Sequence, residues 1–251
     1  MNCRILPHQF GDGPGQMALD EALLDSVGAA PESAVLRTYG WTRPTLSLGY
    51  FQPAELADDA RWSDLELVRR PTGGGALLHH HEVTYAVVLP STHRLARRGP
   101  ELYRAAHAAI ACVLSELGAP ASRRGEPGSG PQSEPLGTAK PFLCFADRDA
   151  EDLVLLGHKL VGSAQRRRVG ALLQHGSLLL SRSPFAPELP GLAELASLNA
   201  EAVDWHGRIT AAIAEALELD PAPGSATPDE LRDAERLQRE VYRTDRWTRK
   251  R

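Results

Sequence analysis

Cysteine is scarce in this chain of 251 residues, which has only Cys3, Cys112 and Cys144. An odd number at scattered positions makes no disulfide framework, and no C-x-x-C pair offers a zinc spacing. The reading is therefore a reducing, cytoplasmic setting. Long apolar runs are also missing, and none nears the ~20 residues that cross a bilayer. The opening MNCRILPHQFGDGPGQ lacks the apolar centre of a signal peptide. Positive charge is not in surplus: the net charge is −4 and the pI about 6.1. General attraction to nucleic acid or to an anionic membrane surface is not expected. No internal repeat is found.

What is present suits a globular chain, with 42% hydrophobic and 24% charged residues. Helical spacing of apolar residues predicts helices over 16–27, 100–117 and 208–217. Gly118 is placed to stop the second of these, and Cys112 is expected to lie buried within it. Strand patterns cover 34–39, 45–50, 65–70, 82–89, 142–145, 152–156, 159–165 and 171–180. Gly157-His158 reads as a type II′ turn that sets Lys159 in register with Leu156. Thr227-Pro228-Asp229-Glu230 is a capping box opening a charged helix to about residue 242. Residues 119–140, rich in Pro, Gly, Ser and charge, read as a mobile loop. Strands and helices without regular βαβ spacing argue an α+β fold. The expected division is a catalytic unit over 1–220 and a helical extension over 221–251.

Three segments stand out chemically. RRPTGGGALLHHHEVTYAVVL (69–89) places three glycines after a strand, where backbone approaches a ligand with no Cβ in the way. LCF (143–145) sets a cysteine beside an aromatic residue. GHKLVGSAQRRRVGALLQHGSLLL (157–180) carries a lysine in a mostly apolar strand, either snorkelling at an edge or held as a functional cation. In a strand, His79 and His81 face opposite to His80, so the three histidines do not converge on a metal. No metal site is assigned.

Together with GQMALDEALL (15–24) and RTYGWTRPTLSLGYFQP (37–53), these blocks resemble the lipoate–protein ligase and octanoyltransferase superfamily. The resemblance implies a mixed, mostly antiparallel sheet flanked by helices, as in biotin– and lipoate–protein ligases. Within it, Cys144 before Lys159 and the HHHEVTY segment look like the branch that moves octanoyl groups through a cysteine. That branch implies acyl carrier protein as donor, and a lipoyl domain or the glycine cleavage H protein as acceptor. It requires no cofactor, since a thioester donor is already activated. Cys144 is then the nucleophile, and the Lys159 ammonium favours its thiolate. Arg70, Gly73, Gly74, Gly75, His79, Gly162, Ser163 and Ala164 are the implied substrate-binding residues. His79 is either the base that deprotonates the acceptor or an ordering residue in the pocket wall. Gly75 and His80 depart from the branch, which more often has Arg and an acidic residue there. The rival readings are an ATP-dependent lipoate–protein ligase, an amidotransferase between lipoyl domains, and a non-catalytic lipoyl-domain-binding module.

Overall fold

Alternating and helical apolar patterns lay down the elements in order along the chain. The first are β1 (Asn2–Ile5), β2 (Gln9–Gly11), α1 (Gly13–Ala29), β3 (Ala34–Trp41) and β4 (Thr45–Leu48). Next come β5 (Glu66–Arg69), β6 (Leu77–His79), β7 (Glu82–Pro90), α2 (Gly99–Glu116) and β8 (Ser122–Arg123). The second half holds β9 (Leu153–Leu155), β10 (His158–Arg168), β11 (Ala171–Leu179), α3 (Leu192–Ala196) and α4 (Trp205–Ala216). The chain closes with β12 (Asp220–Pro223), α5 (Pro228–Leu237) and α6 (Asp245–Thr248). The structure, a computed structural model, describes residues 1–126, 142–146 and 149–250.

Among the described residues the main sheet has nine strands, ordered β12-β1-β3-β7-β11-β10-β9-β8, with β2 alongside β3. Pairing is antiparallel from β3 through β8 and parallel where β1 meets β3 and β12. A smaller sheet runs β5-β4-β6. The fold is α+β with a mixed, mostly antiparallel sheet, as the sequence implies.

Strand β7 shows why helices cover both faces. Val83, Tyr85, Val87 and Leu89 join Leu102 and Ile110 of α2 and Ile209 of α4 in one core. Ala86 and Val88 point the other way, to Met17, Leu23 and Leu24 of α1 and Leu237 of α5. This is the two-residue period of a strand buried on both sides. A third cluster fills the space under the small sheet, with Leu46, Leu48, Leu78 and Leu143. No helix among the described residues is long and apolar enough to cross a membrane.

Several boundaries differ from expectation for physical reasons. Helix α1 starts earlier because the Asp12 carboxylate accepts from the Gly15 N–H at 2.8 Å, with Pro14 in the first turn. Cys112 is exposed rather than buried. Each step along a helix turns a side chain by about 100°, and Cys112 falls off the face that carries Ile110 and Val113. Residues 142–145 form no strand; Leu143 makes a single parallel bridge to Ala76. The start of the expected loop is ordered, since Ser122 and Arg123 pair with β9; residues 127–140 lie outside the described residues. The capping box does form, with Thr227 and Glu230 each accepting from the other's backbone N–H. Helix α5 gives way at Leu237 to a π-helical turn, Gln238–Tyr242. β12 pairs with β1, so the sheet takes in residues on both sides of position 220.

The turn before Lys159 is centred one residue earlier than expected. Leu156 (φ 50°) and Gly157 (φ 81°) are both left-handed, and His158 pairs with Leu155. That is the type I′ geometry, and it puts Lys159 opposite Val154 rather than Leu156. Leucine is poorly suited to this conformation and is 72% exposed here. Leu156→Asn should therefore raise unfolding stability by roughly 1 kcal/mol. A urea midpoint that stays or falls in this variant would show that Leu156 makes an offsetting contact.

Candidate active site

The site is built from three stretches that the fold brings together. The first is the turn after β5. The buried Arg70 guanidinium donates to the carbonyls of Ser47 (2.9 Å), Gly73 (2.6 Å) and Gly75 (2.6 Å). It thereby fastens the glycine turn to β4. Gly74 has φ +93°, a conformation that side chains disfavour. Its carbonyl comes so close to Gly49 that a Cβ there would stand 2.0 Å away. At Gly73 a Cβ would meet nothing within 4 Å among the described residues, so the three glycines are not equivalent.

The second stretch carries Cys144. The Ala76 N–H donates to Phe142 O (2.9 Å) and the Cys144 N–H to Ala76 O (2.7 Å). A Cβ on Gly75 would stand 3.1 Å from the Cys144 nitrogen, so its bareness lets the cysteine segment lie against the turn. Cys3, by contrast, is buried, and burial pushes its thiol up to about 12.

The third stretch is β10. The Lys159 Nζ lies 2.8 Å from the Asp152 carboxylate, 3.1 Å from the Cys144 carbonyl oxygen and 3.6 Å from the Cys144 Sγ. Burial opposes the ammonium, but the Cys144 sulfur and Asp152 outweigh it and hold Lys159 above its ordinary value. A break in register between Lys159 and Val161 lets the lysine turn toward the cysteine. Gly162 leaves it room: a Cβ there would stand 2.6 Å from the Lys159 Cε.

Two cavities meet at Cys144. The inner one is mainly apolar, with Met17, Tyr39 and Leu77 in its wall. Arg70, Gly73, Gly74, His79, Gly162, Ser163 and Ala164 also border it. The outer cavity is of mixed polarity, with Lys159, Asp152, Tyr103, His107 and Gly75 on its wall. Gly73, Gly74, Cys144, Ser163 and Ala164 face both. All ten residues singled out in the sequence thus surround one connected space.

His79 is fixed in the inner wall. Its ring stacks on Trp41 with centroids 3.8 Å apart. Nδ1 meets Glu82 at 2.7 Å and Nε2 meets Ser47 Oγ at 2.7 Å. Burial keeps the imidazole below its ordinary value although Glu82 pulls the other way. His80 and His81 turn elsewhere, to Ser183 and to the Arg182 carbonyl.

Sequence reading missed Asp152, His107, Gly49 and Gly176. A Cβ at Gly176 would stand 2.2 Å from Ser163 Oγ, so this glycine is as necessary to the site as those in the turn. Only Asp152 carried a signal, being an acid one short hairpin away from a buried lysine.

Two outcomes follow from this geometry. Gly162→Ala should fold, because the atom it displaces is the end of a flexible side chain, yet it should move Lys159 off the sulfur. Alkylation of Cys144 at neutral pH should then slow, as it should in Lys159→Ala; wild-type alkylation in Gly162→Ala would detach Lys159 from thiol activation. The second outcome concerns acid. Burial, partly offset by a bond to the Glu151 carbonyl, lowers His107 from 6.5 to about 4. Between those values the unfolded chain binds a proton that the folded chain does not, so stability falls as pH drops through that window. The full loss is on the order of 3 kcal/mol. His107→Gln should lack this component in urea titrations at pH 7 and pH 4.5, and an equal acid loss in both proteins would discount it.

Known proteins bear out the likeness. The lipoyl protein ligase A/B catalytic domain family matches residues 12–187. Octanoyltransferase LipM of Symbiobacterium thermophilum is 35% identical, over 98% of this chain and 97% of its own. The LipM of Kyrpidia tusciae is 34% identical over 97% of each. Among solved structures, lipoate-protein ligase A bound with ATP has a TM-score of 0.73 at 25% identity, covering 99% of both chains. A T. acidophilum protein solved with bound lipoic acid reaches 0.75 at 24% identity, over 99% of this chain and 100% of its own; at that identity it speaks to fold alone. Matched by the family over most of its length and by LipM proteins from end to end, the chain belongs to the lipoyl protein ligase A/B catalytic-domain family, in its octanoyltransferase branch, and is an acyltransferase.

Proposed function

We propose that this chain takes an octanoyl group from octanoyl-acyl carrier protein onto Cys144 and passes it to a lysine of a lipoyl domain or of the glycine cleavage H protein. Its reaction is octanoyl transfer in lipoyl cofactor assembly. The observation that carries the cysteine route is the buried Lys159 ammonium 3.6 Å from the Cys144 sulfur, where an apolar cavity meets one lined by charged and polar side chains as well as apolar ones.

The chemistry divides along that boundary. An ammonium beside sulfur stabilises the thiolate, which attacks the donor carbonyl carbon. The oxyanion that forms is stabilised by the same cation and by backbone N–H groups near Gly162 and Ser163. The donor thiol leaves and the acyl group stays on Cys144 as a thioester, its chain in the inner cavity. The acceptor lysine enters through the outer cavity and displaces the sulfur as an amide forms. The bond is activated throughout, so this route needs no nucleotide.

Mixing the protein with octanoyl-acyl carrier protein in nucleotide-free buffer should leave one octanoyl group on Cys144, read by intact mass and peptide mapping. Cys144→Ala should carry none and transfer none, whereas Cys3→Ala and Cys112→Ser should load normally. A strict need for ATP and free octanoate or lipoate would sink the proposal in favour of a ligase. Loading solely from an octanoylated protein would favour the amidotransferase instead.

A further inference from the structure

Amide formation needs a proton acceptor as well as a nucleophile, because the attacking lysine nitrogen must shed its proton. Lys159 is unsuited, since its ammonium is paired with the buried Asp152 carboxylate at 2.8 Å, a partner it keeps when the sulfur is acylated. Among the described residues, His79, His107 and His175 border the cavities. Both nitrogens of His79 are taken, by Glu82 and by Ser47. His175 is held by Asp20 at 2.9 Å and Thr72 at 2.8 Å, neither of which faces a cavity.

His107 is arranged differently. Its Nδ1 meets the backbone carbonyl of Glu151. A carbonyl only accepts, so Nδ1 bears the hydrogen and Nε2 is the basic nitrogen. Nε2 lies 2.6 Å from Ser163 Oγ, and Ser163 faces both cavities beside Cys144. The other side of that hydroxyl is set just as firmly. The Gln165 amide nitrogen donates to the Gly99 carbonyl (2.8 Å) and to Gln174 Oε1 (2.7 Å). The Gln174 nitrogen donates to the Tyr85 hydroxyl (2.8 Å), and Tyr85 then donates to Ser163 Oγ (2.8 Å). Every hydrogen points one way along this row, and that of Ser163 is aimed at His107.

We infer that Ser163 and His107 form a relay that removes the proton from the acceptor lysine as it attacks the Cys144 thioester. This rests on the thioester reading above. The acceptor lysine sheds its first proton to solvent and attacks as the neutral amine; the C–N bond forms and the C–S bond breaks, and sulfur leaves as a thiolate beside Lys159. The nitrogen's proton passes to Ser163 Oγ while Ser163 gives its own to His107 Nε2. His107 then releases a proton to water in the outer cavity. A weakly basic imidazole suffices, because the nitrogen becomes strongly acidic as the C–S bond breaks. Loading Cys144 from a thioester involves no such proton, so the relay acts on delivery alone.

His107→Gln tests this, because an amide reproduces both hydrogen bonds and cannot take the proton. Each half-reaction is followed by rapid quench and intact mass, with octanoyl-acyl carrier protein as donor and a lipoyl domain as acceptor. Loading should stay within about twofold of wild type, while delivery slows about 100-fold or more. Added imidazole should speed delivery in His107→Ala, where it has a cavity to fill, and not in His107→Gln. Ser163→Ala should slow the same step, and it decides the matter if the His107 variants fail to fold. Wild-type delivery rates in these variants, equal slowing of both halves, or no response of His107→Ala to imidazole would overturn the relay. A wild-type protein that never forms the thioester would instead remove the reading beneath it.

Discussion

A buried ammonium must be met by negative charge, and Lys159 imposes that condition on everything near it. Two charges taken from water are worth keeping only where geometry and further hydrogen bonds repay desolvation. Here the Asp152 carboxylate and the Cys144 carbonyl and sulfur supply the match. Their positions recruit the β9–β10 hairpin, the cysteine segment and the bare edge at Gly162. The lysine is thus held by several contacts drawn from one stretch of the chain, residues 144 to 162, and its place beside the sulfur does not depend on any one of them.

A second buried cation works from the other side. Arg70 gathers the carbonyls of the glycine turn, and Ser47 links it to His79. Behind His79, one oxygen of Glu82 accepts from Trp41, His79, Thr84 and Ser177. A carboxylate so heavily donated to stays ionised despite its burial, and its value is lowered accordingly. This orients His79 so that its other nitrogen accepts from Ser47. The wall of the inner cavity is therefore a set of directed hydrogen bonds rather than apolar packing alone.

Much of this was legible because the governing signals are local. Glycines at 73–75, the lysine of K-x-x-GSAQ and the capping box at 227–230 are each marked by residues a few positions away, even where the contact they serve, as between Gly75 and Cys144, is distant. Periodicity likewise placed α2, β7 and β11. His107, Gly176 and Gly49 were not legible, because their roles arise from register and layering. Gly176 matters only because it lies opposite Ser163 on one side and Tyr85 on the other. His107 lies on the sheet-facing side of a helix, where its spacing is that of an ordinary core position. Cys112 was misplaced for the converse reason: its composition suits a core, but its angle around the helix does not. At the β9–β10 turn, glycine was rightly taken as the permissive residue, but the left-handed leucine before it runs against propensity.

The cysteine segment hangs from Ala76 by two backbone hydrogen bonds, one to Phe142 and one from Cys144, and Ala76 lies between the glycine turn and Leu77 in the wall of the inner cavity. The five consecutive residues 73–77 therefore both shape the cavities and set the position of the sulfur. A mutation that reshapes the cavity in this stretch also shifts Cys144. Met17, in α1, borders the same cavity from outside this stretch, so a change of size there reshapes the cavity without touching the segment that holds the sulfur.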